Sequence, residues 1–130
     1  MADSLSCLKK RDLLHNDHIP AAELKRLAYA LMENEQFADA LDFFEKAGDQ
    51  EGIRRIREWS LEHGDPFLLR QTGKILKEPI GAEEWRKVGE KALHEGRFTQ
   101  ALTAFRMAGD EEKIQEIMTR TGQHSYVQPN

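Results

Sequence analysis

One passage of this chain is written twice. Displaced by 61 positions, the segment Ile19 to Arg57 falls on Ile80 to Met118, and thirteen paired positions hold the same residue. They include Phe37/Phe98, Ala40/Ala101, Leu41/Leu102 and Phe44/Phe105, then Ala47-Gly48-Asp49 against Ala108-Gly109-Asp110. Glu51/Glu112, Ile53/Ile114 and Ile56/Ile117 complete the pattern. A match at fixed displacement marks a repeated supersecondary unit, which buries its apolar face on its neighbours.

Each copy reads as two helices and the start of a third. In the second copy Gly81 stands as N-cap with Glu84 at N3, and Ile80 is placed to staple onto Trp85. Trp85, Val88, Ala92 and Leu93 recur at helical spacing, and Gly96 ends that helix. Phe98, Ala101, Leu102, Phe105 and Ala108 form the next stripe. It stops at Gly109, which suits a left-handed C-terminal residue. Asp110 caps the third helix, with Glu111 and Glu112 in its positive first turn. The first copy repeats this logic from Leu24 through Phe37 and Gly48 to Asp49. Valine, the main strand former, occurs only at Val88 and Val127, so an all-α chain is expected.

A weaker unit lies between the copies. Ile53, Ile56 and Ser60 mark a helix ending at His63-Gly64, and Asp65-Pro66 supplies an N-cap and N1 proline for Phe67 to Leu76. Pro79 stops that helix. The expected architecture is a right-handed stack of about three antiparallel helix pairs with a C-terminal closing helix. Its units are about 19–48, 49–78 and 80–109, with the closing helix at 110–121. Residues 1–18 form an N-terminal arm with a short helix around Leu5 to Leu14, and 122–130 a polar, frayed tail.

These residues resemble the tetratricopeptide repeat. Trp85, Gly89, Gly96, Phe98, Ala101, Phe105 and Ala108 fall at that family's spacings, as do Leu24, Ala28, Phe37, Ala40, Phe44 and Ala47. The repeat spacing departs from the pattern, at about 29 and then 32 residues where the family uses about 34. The family's closing proline is absent, and the middle unit matches only at Ile53, Ile56 and Gly64. The short Ala-Gly-Asp joints are also similar to the helical repeats of vesicle-coat and intraflagellar-transport subunits. The resemblance implies a superhelix whose concave groove is lined by the first helix of each pair and holds a partner's peptide. The matching positions are Lys25, Tyr29 and Met32 in the first copy and Arg86, Glu90 and Leu93 in the second. Some relatives clamp a peptide carboxylate with lysine and asparagine. Lys25 fits one such slot, and Tyr29 occupies the asparagine slot. Solvated charge and seam packing explain the same six residues without a ligand.

Composition narrows the function. The net charge is −4 with both signs interspersed, so no basic face recruits nucleic acid or anionic lipid. Cys7 is the single cysteine, which rules out an intrachain disulfide and favours a reducing compartment. No apolar N-terminal run resembles a signal peptide, and the cytoplasm is the expected address. His15 and His18 lack further ligands at metal spacing, while His63 and His94 suit the negative ends of helices. Cys7 reads as an inert thiol, and no phosphate loop or nucleophile-base-orienter set is visible. Neither catalysis, cofactor nor metal is therefore expected.

Arg54, Arg55 and Arg57, with Lys25 and Arg26, are interspersed with Glu51, Glu58 and Glu62 and read as a solvated face. Trp59 sits at the edge of the buried stripe. Phe43 faces Ala104 in the alignment, so the repeat itself does not demand an aromatic there. Phe43 is expected to face a partner or the N-terminal arm. The expected function is a protein-protein interaction adaptor that grips a peptide. The alternative is a self-assembly module joined through its end helices. The partner is expected to be another protein, and the chain a monomer or weak homo-oligomer.

Overall fold

The computed structural model describes residues 6–122. These residues form eight α-helices and no strand: α1 Cys7–His15, α2 Ala21–Glu33, α3 Phe37–Ala47, α4 Gln50–His63, α5 Pro66–Leu76, α6 Ala82–His94, α7 Phe98–Ala108 and α8 Glu111–Thr121. None of them is long and apolar enough to cross a membrane. The helix of the N-terminal arm is present as α1, capped by Ser6, whose side chain accepts from the Lys9 N–H. Leu5 and the tail beyond Gly122 lie outside the described residues.

The 61-residue displacement is written into the backbone. It carries α2 onto α6 and α3 onto α7 at both ends, and the first residue of α4 onto that of α8. It also carries the last residue of α1, His15, onto the last residue of α5, Leu76. Helix α1 therefore opens the first copy as α5 opens the second, although only Leu8 and Leu69 are identical along them.

Local chemistry sets the turns. Gly48 and Gly109 both take a left-handed conformation at φ 72°. One turn earlier the copies differ: Gly96 has φ 75°, whereas the first copy forces Glu35 to φ 59°. That conformation costs an L-residue roughly 1–2 kcal/mol. Asp49 and Asp110 cap the helices after them, each Oδ1 accepting an N–H three residues on, from Gly52 at 3.2 Å and Lys113 at 3.1 Å. At α6 only half a capping box forms. Glu84 Oε1 accepts from the Gly81 N–H at 3.0 Å, and Gly81 has no side chain to reciprocate.

The helices gather into two compact units, one comprising the described residues up to Glu58 with Gln71–Glu78, the other Trp59–Arg70 and the described residues from Pro79. In the first unit α2 packs on α3. The Phe44 ring is fully buried against the backbone of α4, and a methyl group added at Gly52 would stand 2.3 Å from the ring. In the second unit α7 packs against α6 and α8. The matching ring, Phe105, is pressed on Gly89 of α6, where an added methyl would stand 2.7 Å away. Leu69, Trp85, Val88 and Ala104 form one core cluster here, with Leu61 and Ile80 packed on it.

Phe43 is completely buried, so a partner-facing role is corrected. It lies on the stripe of α3 that carries Asp39, Asp42 and Lys46, the stripe to which α1 is fastened. The volume it contributes is offset at a second matched position. Ala104 takes its place in the second copy while Trp85 replaces Leu24, so the bulky residue moves from α3 to α6.

Charge adds to the partial burial of Leu13 and Leu14 in attaching α1. None of its residues is fully buried. Lys10 reaches Asp39 at 2.8 Å and Asp42 at 2.5 Å, and in return Lys46 donates to the Leu14 carbonyl and pairs with Asp17 at 3.2 Å. Burial works to lower the Lys10 pKa, but the hydrogen bonds and charges of the two aspartates outweigh it and hold the group above its ordinary value. Interactions of this type weaken with ionic strength. Hydrogen exchange should therefore show α1 losing protection in high salt and in a Lys10→Met/Lys46→Met variant, while α2 and α3 keep theirs. Protection of α1 that is indifferent to both would mean that apolar contact holds it.

Candidate partner-binding surfaces

The six positions aligned with a groove split evenly, Lys25, Tyr29 and Met32 in the first unit and Arg86, Glu90 and Leu93 in the second. Five of them, all but Met32, lie along the seam between one first helix and the next. Lys25 Nζ stands 3.9 Å from Asp49 Oδ2, and the matched Arg86 Nε stands 3.5 Å from Asp110 Oδ2. Each aspartate thus caps a helix with one oxygen and faces a cation with the other. Asp49 Oδ2 is buried without a hydrogen bond, so the Lys25 contact is an ion pair only.

One turn on, the seams diverge chemically. The Tyr29 ring meets Phe44 edge-on at 4.8 Å, and the Arg55 guanidinium lies 5.6 Å from its centroid. The second copy replaces this stack with an ion pair, Glu90 to Lys113 at 3.5 Å. Leu93 packs against the cluster containing Phe105, Ile114 and Ile117, and Met32 is half-buried. The side chains of Lys25, Arg86 and Glu90 remain 54%, 42% and 59% exposed, so they face solvent as well as the seam.

The basic residues of α4 are paired individually. Arg55 meets Glu51 at 3.3 Å, the i,i+4 contact that helix spacing predicts. Arg54 grips both oxygens of Glu78 at 2.9 and 2.8 Å, and Arg57 adds a third bond at 3.1 Å. Sequence spacing gives no sign of Glu78 as their partner, because it arrives from beyond α5. Trp59 is half-buried and stacks on His63 with centroids 4.1 Å apart. His18 is exposed, and its N–H closes a turn onto the Asn16 side chain at 2.9 Å. Among the described residues no group of three or more His, Cys, Asp or Glu is placed to hold a metal.

Two features escape the sequence pattern. Arg97 donates to the carbonyls of His63 at 2.7 Å and Gly64 at 2.9 Å, tying down the end of α4, while Glu95 holds the guanidinium at 2.7 Å. Its counterpart in the first copy is Gln36, whose amide oxygen is buried without a partner. The second feature is a hollow of about 400 Å³ in the first unit, lined by Leu13, Ile19, Leu24, Leu27 and Ala30 with the Glu23–Arg26 pair. The signal for both lies in the copies' disagreements, at Gln36/Arg97, Leu24/Trp85 and Ala30/Lys91.

Comparison with protein-family models, with curated proteins and with solved structures finds no match.

The arginine clamps set an acid response. Hydrogen bonds from Arg54, ahead of the nearby charges, hold Glu78 below the ordinary carboxylate range, and hydrogen bonds from Arg97 and Lys91 do the same for Glu95. A depressed carboxylate stabilises the fold above its unfolded pKa, and that contribution is lost as pH falls through the folded value. A Glu78→Gln/Glu95→Gln variant should lose less stability than the parent between about pH 5 and 2 in urea unfolding. Parallel acid limbs would show that these clamps are not coupled to folding.

Proposed function

We propose that this chain is a protein-interaction module of tetratricopeptide-like build, in which stacked helix pairs offer a partner's peptide segment a groove lined by their first helices. The observation that carries this reading is the repeated seam. Both copies hold a cation against an aspartate cap, yet the next position is Tyr29 with Arg55 in one and Glu90 with Lys113 in the other. Each pairing closes its own seam, but the first leaves a half-buried aromatic where the second leaves charges, and a surface that reads a peptide gains from that difference. Half-buried Tyr29 offers an amphipathic anchor, a residue type enriched at interaction hot spots.

The self-assembly alternative draws less support from the side chains. The outward residues of α8, Glu112, Gln115, Glu116 and Thr119, are exposed and polar, so that face offers little apolar area for stacking.

Affinity purification from the native host, comparing the parent with a Lys25→Ala/Tyr29→Ala variant, tests the proposal. Tyr29 also packs on Phe44, so the variant's fold is first checked by circular dichroism. The proposal expects a partner whose recovery falls roughly tenfold with the variant, a loss of about 1.4 kcal/mol. Undiminished recovery with the folded variant rules out the groove.

A further inference from the structure

In the second copy, helix α6 receives the last turn of α4 through three contacts. Leu61 packs on the cluster of Leu69, Trp85 and Val88. Gly64 approaches so closely that an added methyl would stand 3.0 Å from both the Ala92 nitrogen and Lys91 Cβ. Arg97 then donates to the terminal carbonyls at 2.7 and 2.9 Å, meeting the negative end of the helix dipole. An aliphatic plug, a close-packed glycine and a donor on the carbonyls together make a socket for a helix C-terminus.

The first copy holds the same positions on α2, where Leu13 of α1 covers them only in part and leaves a hollow. Trp85, Val88 and Ile80 correspond to Leu24, Leu27 and Ile19, three residues that line the hollow of about 400 Å³. Lys91 corresponds to Ala30, also on its wall, and Arg97 to Gln36. Gln36 Oε1 is enclosed and without a hydrogen bond. Half a rotation of that amide presents two N–H donors from the same place. Ala30 is smaller than Lys91, so the wall of the first copy is more open at that position than the wall of the second.

We propose that this side of α2 is a docking site for the C-terminal turn of an amphipathic helix supplied by a partner protein, ending in an aliphatic-x-x-Gly sequence. The arriving end carries roughly half a negative charge, which amide donors at Gln36 complement, while Arg26 on the hollow's wall is already paired with Glu23. A second copy of this chain is a poor occupant, because its helix ends of that sequence, Leu61 to Gly64 and Leu93 to Gly96, already pack Leu61 and Leu93 on its own core clusters. Lys25 and Tyr29 lie on the other side of α2, toward Asp49 and Arg55, so this socket stands or falls separately from the peptide groove.

The internal template supplies the probe: a synthetic peptide of residues 50–65, capped at both ends and titrated into the full 15N-labelled chain. Saturable shifts are expected at Leu24, Leu27, Ala30 and Gln36. Ala30→Asp, at an exposed position, should weaken binding at least roughly tenfold, and so should Leu61→Asp in the peptide. Gln36→Arg should tighten it. Three results overturn the proposal: no shifts at about millimolar peptide, shifts confined to the matched residues Trp85, Val88 and Lys91, or an affinity indifferent to Ala30→Asp.

Discussion

A phenylalanine ring at the centre of each copy lies nearer to a neighbouring helix than any side chain on that helix would allow. Phe44 and Phe105 are fully buried, and each depends on a glycine that withdraws its Cβ from the ring's path. The glycine comes from opposite sides. In the first copy it is Gly52 on the succeeding helix, while the α2 position matched to Gly89 holds Ala28. In the second it is Gly89 on the preceding helix, while the position matched to Gly52 holds Lys113. One ring, one small residue and a choice of side set how the three helices of each copy close. The seams that present Lys25, Tyr29, Arg86 and Glu90 are a product of that closure.

Around these rings the two copies use different means for the same ends. The second buries Leu69 of α5 in its core, whereas the first attaches α1 through Lys10 and Lys46 and leaves Leu8 64% exposed. The second secures a helix end with Arg97, and the first leaves the Gln36 side-chain oxygen without a hydrogen bond at that position. The first copy is thus the more open of the two. Its helix α1 hangs in part on salt-sensitive contacts, and its α2 keeps an apolar hollow. Both traits suit a surface that receives something from outside the chain.

The helices are legible in the sequence because their signals are local. Apolar stripes at i, i+3 and i+4 and caps at Asp49, Asp65 and Asp110 fix the elements without tertiary information. Tertiary facts are not legible in the same way. Phe43 looks optional beside Ala104, because the exchange with Leu24/Trp85 is visible only once α3 and α6 can be seen in contact with their neighbours. Glu78 meets Arg54 and Arg57 from 24 and 21 residues away, beyond any helical spacing rule. The six groove positions share one side of their helices, and that side is divided between solvent and the next helix. Glu35 gives no warning at all, since a glutamate carries no sign of a left-handed backbone.

Closure of the first copy turns on Phe44 and its choice of glycine, which urea unfolding of three variants tests directly. Gly52→Ala should destabilise by roughly 1–3 kcal/mol, against the gain of about 1 kcal/mol that alanine normally brings to a helix interior. Ala28→Gly alone should cost about 1 kcal/mol or more. The double variant gives the first copy the side choice of the second, so the ring should move toward α2 and the double should be more stable than Gly52→Ala alone. A double variant whose loss is the sum of the two singles would contradict the claim that one ring and one small residue set the closure of the copy.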